Sequence, residues 1–201
     1  MAYPGVRMFL GYGEKGPSTP STDGEVDEAL KRRILIAAAL GQPFLNFRGE
    51  PITLSLLTPT NDPLPSWLFM AHVHAIRTVT EKLVGLARYC GGQADQFAAA
   101  VARYTRWMAV PGTEEVKAQL AAALAELHTE AGWCFHDSGL DGTAYFTHGL
   151  SLAHQAGDTY TIANAAWHAG ATLVRDGYPN DALKLFQLGG FWASLRALAP
   201  G

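Results

Sequence analysis

Along the 201-residue chain, apolar residues recur at steps of three and four over most of residues 66 to 198. That is the period of an α-helix, whereas a half-buried strand would show steps of two. Ile76, Val79, Leu83, Leu86 and Cys90 form one such stripe, behind a predicted N-cap at Ser66 and ahead of a stop at Gly91-Gly92. A second helix is predicted from Gln93 to Met108, with Phe97, Val101, Tyr104 and Met108 on one face, and Pro111-Gly112 breaks it. Thr113 caps a third, places Glu114 and Glu115 against its positive end, and leads into the stripe Val116, Leu120, Leu124, Leu127, Ala131 and Cys134.

Upstream the pattern is thinner. Glu25 to Leu40 reads as a helix with acids early and Lys31-Arg32-Arg33 further on, ended by Gly41 and Pro43. Residues 1–24 read as a flexible arm or linker, because residues 11–24 hold four glycines and two prolines and offer little to bury. Pro43, Pro51, Pro59, Pro63 and Pro65 keep regular structure out of residues 42–65, apart from a short edge strand fitting Pro51-Ile52-Thr53-Leu54-Ser55-Leu56. The expected division is therefore an arm (1–24), a helix with a Pro-rich segment (25–65) and a helical domain (66–201).

The last third of the chain repeats itself. Ala131-Gly132-Trp133 with Asp137-Ser138-Gly139 is answered 38 residues later by Ala169-Gly170-Ala171 with Arg175-Asp176-Gly177. Phe146 with Gly149 is answered by Phe186 with Gly189, now 40 residues on, which predicts a first unit two residues shorter in its turn. A small residue at a helix crossing lets the partner approach, and an aromatic fills the gap beside it. In the second unit Gly170, Leu173, Gly177, Ala182, Phe186 and Gly189 resemble the signature of the tetratricopeptide repeat, and Gly132, Phe135, Gly139, Phe146 and Gly149 echo it in the first.

Together with Arg88-Tyr89-Cys90-Gly91-Gly92, Leu127-His128-Thr129-Glu130-Ala131-Gly132-Trp133 and Ala153-His154-Gln155-Ala156-Gly157-Asp158, the repeat resembles the C-terminal half of actinobacterial helix-turn-helix transcription regulators. The resemblance implies an all-α fold of antiparallel helical hairpins stacked as a right-handed solenoid. It implies a non-catalytic sensor or interaction module that takes a protein, peptide or small signal in a helical groove. The first helix of each unit would line that groove, through Glu126, Thr129, Trp133, His136 and Asp137 around Gly132, and through Asn164, Trp167, Ala171 and Arg175 around Gly170. Trp and Arg are common binding anchors. The plainer alternative buries Trp133 and Trp167 in the core.

Composition narrows the partners. Charged residues make up 16% of the chain and the net charge is −3, which argues against direct nucleic-acid binding, since such affinity comes from neutralising phosphates with Lys and Arg. No helix-turn-helix pattern lies in residues 1–65. Two cysteines, Cys90 and Cys134, make no disulfide framework and point to a reducing, cytoplasmic setting. Lys31-Arg32-Arg33 ahead of an apolar run echoes a twin-arginine leader, but its place within the chain reads as an ordinary helix, and no apolar run is long enough to cross a membrane.

Catalytic and cofactor signatures are missing from the sequence: it has no Gly-x-Ser-x-Gly elbow, phosphate-binding loop or dinucleotide fingerprint. On a helix His72 and His74 point about 200° apart, and His128 and His136 sit about 12 Å apart along the axis, so neither pair shares a metal. Cys134, His136 and Asp137 are the densest potential ligands, but they fall near a helix end where such residues cap. No metal or cofactor is expected; an enzyme with an unrecognised site and a purely oligomerising scaffold are the rival readings. Finally, Leu188, Phe191, Trp192, Leu195 and Leu198 gather on one side of the last helix, and an apolar end to a repeat array predicts a two-fold homodimer through that face, or folding back on residues 66–108.

Overall fold

The computed structural model describes residues 22–42, 63–91 and 93–198, with side chains for 28–42, 63–89, 91 and 93–194. Every regular element among them is helical: α1 (Thr22–Ala39), α2 (Met70–Cys90), α3 (Ala94–Thr105), α4 (Glu114–Asp137), α5 (Thr143–Ala156), α6 (Thr159–Arg175) and α7 (Pro179–Leu198), with one 3-10 turn at Arg106–Ala109. The fold is all-α, as the hydrophobic period implied. Residues 1–21 of the expected arm and the expected strand at Pro51–Leu56 lie outside the described residues.

Two boundaries shift for non-local reasons. Ser66 does not cap α2, which starts at Met70. The Leu68 N–H instead donates to the Pro111 carbonyl at 2.8 Å, strapping residues 66–69 across the turn ahead of α4, and the Phe69 N–H donates to His72 Nδ1 at 3.0 Å. α3 stops at Thr105 and the chain tightens into the 3-10 turn, where the Lys117 ammonium reaches back to the Met108 carbonyl and, at 2.9 Å, to that of Val110. Thr113 caps α4 as expected, its Oγ1 accepting from the Val116 N–H at 3.3 Å.

Two cores meet along α4 and α5. Leu68, Val73, Ile76, Phe97, Val101, Leu120, Leu124 and Leu127 anchor one, between α2, α3 and α4. Phe146, Leu150, Ala165, Ala169, Leu173 and Leu185 anchor the other, and Leu35, Ala38 and Ala39 of α1 are buried in it. α1 thus packs on the helices of the second core. Arg32 pairs with Asp181 at 3.0 Å and lies 3.7 Å over the Tyr178 ring, while Lys31 pairs with Asp141 at 2.8 Å.

The sequence repeat is a packing repeat. A Cβ on Gly132 would stand 3.0 Å from the Phe146 ring, and one on Gly170 would stand 2.7 Å from the Phe186 ring. One turn further along α5 and α7, a Cβ on Gly149 or Gly189 would stand 3.2 Å from the carbonyl oxygen of Ala125 or Ala163. Because the partner positions run backwards as the second helix runs forwards, both pairs are antiparallel. The turn of the first unit is not the shorter one, since it spans 138–142 against 176–178; the extra length of the second unit is an added helical turn of α7 ahead of Phe186. Gly139 and Gly177 end α4 and α6 with φ of +75° and +85°, a conformation other residues adopt only with strain.

Candidate functional site

The final turns of α2, α4 and α6 gather at one end of the molecule, and there the repeat brings matching positions together. Arg175 Nη1 donates to Asp137 Oδ1 at 2.6 Å, and these residues are 38 apart, one repeat. The Arg175 guanidinium also stands 5.6 Å from the Trp133 ring, which packs edge-on to His168 at 5.5 Å. His136 completes the cluster, 6.2 Å from Trp133. Four of the expected groove residues, Trp133, His136, Asp137 and Arg175, are therefore neighbours.

Two clefts flank this cluster. One, of about 480 Å³, separates α1 from the ends of α4 and α6 and is lined by Glu28, Lys31 and Arg32 opposite His136, Asp141, Arg175 and Asp176. Its charges compensate one another. Burial raises the Asp176 carboxyl above its usual value, and Glu28 and Asp141 add to this against the pull of His136, whose Nδ1 is 3.9 Å away, and of Arg175. Burial also works against the ionised form of Asp141, but hydrogen bonds from Lys31 and Thr143 outweigh it and hold that carboxyl low.

The other cleft, of about 460 Å³, opens between α2 and α4. Val84, Ala87 and Arg88 come from α2, Gly91 from the cap that follows it and Phe97 from α3, facing Glu130, Trp133, Cys134 and Asp137 of α4 and His168 of α6. Burial pushes the Glu130 carboxyl above its usual range, Glu126 reinforces this, and Arg88 partly offsets it. Burial likewise pushes the Cys134 thiol up and the His168 imidazole down, so at neutral pH one keeps its proton and the other stays uncharged. The buried His168 Nδ1 has no hydrogen-bond partner.

The remaining expected residues are placed elsewhere. Thr129 is 1% exposed and lines neither of these clefts: its hydroxyl donates to the Ala125 carbonyl at 2.8 Å, and it packs against Gly149 where α4 and α5 cross. Glu126 and Asn164 line a separate hollow of about 250 Å³ with Arg77 and Tyr160. Trp167 is 55% exposed, edge-on to His168, so it is not core, whereas Trp133 is half-buried. On α7, Leu188 packs into the second core and Trp192 against the first, 5.3 Å from His154. Phe191 is 56% exposed, and the side chains of Leu195 and Leu198 lie outside those described.

Glu130, His168 and Arg88 were missed from the sequence. Glu130 sits three residues before Trp133 on the same face of α4, and His168 is its counterpart one repeat on, so both could have been read from the 38-residue period. Arg88 comes from α2 and carried no such signal. His128 is 1% exposed, its Nε2 is 3.0 Å from the Thr105 hydroxyl, and burial with His148 nearby pushes it down to about 3. Among the described residues no group of three or more His, Cys, Asp or Glu is placed to hold a metal, and no helix is long and apolar enough to cross a membrane. Comparison with protein-family models, with curated proteins and with solved structures gives no match.

Proposed function

We propose that this chain is a non-catalytic sensor or interaction module, a tetratricopeptide-like array of helical hairpins comparable to the regulatory half of a transcription regulator. The observation that carries it is the facing of equivalent positions across α4 and α6. Asp137 meets Arg175 at 2.6 Å, and Glu130 and His168 line one cleft, each pair one repeat apart. Stacked copies of one unit produce such pairing, because neighbouring first helices present the same register to each other. The arrangement leaves polar and aromatic side chains around an open hollow of about 460 Å³, a size that suits a small ligand.

The chemistry of the cleft favours binding over turnover. Its thiol is held protonated by burial, which disfavours it as a nucleophile. Phe191, exposed beside Trp192 on α7, is the point at which a second copy would associate.

The reading is tested by melting the purified chain with a chemically varied set of small cations, anions, neutral compounds and short peptides. A ligand at about 100 times its Kd adds about 2.7 kcal/mol to stability. At least one class should raise the melting temperature in the wild type and fail to do so in Trp133→Ala, with helicity unchanged. No rise with any class would leave the oligomerising scaffold, and turnover of a compound by the folded chain would make it an enzyme.

A further inference from the structure

The cleft between α2 and α4 leans negative, with Glu130 and Asp137 against Arg88. α2 and α4 both end beside it, through Gly91 and Ser138, and each helix C-terminus carries roughly half a negative charge. Glu130 adds a carboxylate from the wall. Of the positive groups, Arg175 is committed to Asp137 at 2.6 Å, and Arg88 is exposed. The His168 imidazole is kept neutral and its Nδ1 is closed off from solvent, so it adds no positive charge to the lining. The remaining surface is apolar: Val84, Ala87, Phe97 and the ring of Trp133.

We infer that this cleft binds a small organic amine, its ammonium group held against Glu130 and its apolar or aromatic body laid along Trp133 and Val84. This rests on the binding reading above and gives it a ligand class. An ammonium supplies the donors that the carboxylate lacks, and it can lie over an indole face with further attraction. An anion would meet Glu130 and two helix C-termini with only Arg88 in its favour. The hollow is the size of a small molecule, which excludes a folded partner as occupant.

Calorimetric titration of the whole chain with three matched probes tests this: 2-phenylethylammonium, neutral 2-phenylethanol and anionic 3-phenylpropionate. The amine should bind about tenfold or more tightly than the alcohol, and the acid least of all. Glu130→Gln keeps the shape of the side chain, so it should remove that preference and leave the weak binding of the alcohol unchanged. Trp133→Phe should retain most of the amine affinity. Equal binding of amine and alcohol, stronger binding of the acid, an unchanged preference in Glu130→Gln, or binding of none of the three would overturn the assignment. In each of those cases the wider reading stands as long as some other class raises the melting temperature through Trp133, so the two failures are distinguishable.

Discussion

Gly142 is where the helix pair α4–α5 is least able to yield. Its φ of −91° and ψ of −2° suit alanine, so Gly142→Ala introduces no backbone strain of its own. The added Cβ, however, would lie 2.2 Å from the carbonyl oxygen of Gly132 and 3.0 Å from its carbonyl carbon. This obstacle is backbone, not a side chain that can rotate away, and it belongs to the same glycine that accepts the Phe146 ring. The start of α5 must retreat by roughly 1 Å to restore ordinary contact. Overpacking of this kind costs about 1–3 kcal/mol, and stiffening of the unfolded chain returns about 0.4–1 kcal/mol. A contact this short with backbone lies at the upper end of the overpacking range, so a net loss of about 2 kcal/mol remains and lowers the melting temperature by about 4–8 °C in a chain of this size. Gly85→Ala is the control: it lies inside α2 with nothing within 4 Å of the new Cβ, so it should add about 0.5–1 kcal/mol. Urea unfolding followed by circular dichroism reads both, with unchanged m-values expected. A Gly142→Ala chain as stable as the wild type, or a Gly85→Ala chain that loses as much, would refute the close approach of α5 to α4.

Three further outcomes are expected. Glu130 has a folded-state pKa raised above the usual 4.5 by burial and by Glu126, so its ionised form disfavours folding; Glu130→Gln should melt higher than the wild type at about pH 7.5, and the difference should shrink as pH falls and vanish below about 4.5. Burial lowers His128 to about 3 against 6.5 when free, so its contribution is complete above about pH 6.5 and drains away as pH falls toward 3; a His128→Gln chain should lose less melting temperature across that window. If copies associate through α7, Phe191→Glu should sediment as a helical monomer where the wild type sediments as a dimer; a monomeric wild type at micromolar concentration would remove the association.

Short-range features were legible in the sequence, and contacts between distant segments were not. The Thr113 cap, the ends at Gly139 and Gly177, and the Gly132–Phe146 and Gly170–Phe186 crossings each follow from the residues around them. The start of α2 did not, because its N-terminal residues answer to Pro111 rather than to the local Ser66 signal. The docking of α1 brings Arg32 to Asp181, 149 positions away, and the chain holds no periodic sign of that meeting. In the site, Trp133, Asp137 and Arg175 emerged because the repeat points to them. Thr129 was misplaced because helical phase alone does not separate a groove wall from a tight helix crossing, and a small hydroxyl residue beside Gly149 belongs at the crossing.

Ligands should enter at the face where α4 and α6 present matching positions. Amide chemical-shift mapping, with whichever compound raises the melting temperature most, measures this directly. Saturable shifts should centre on Glu130, Trp133, Cys134 and His168 and disappear in Trp133→Ala. Shifts centred on the exposed Tyr160 and Phe191, or no saturable shift with any compound, would contradict it.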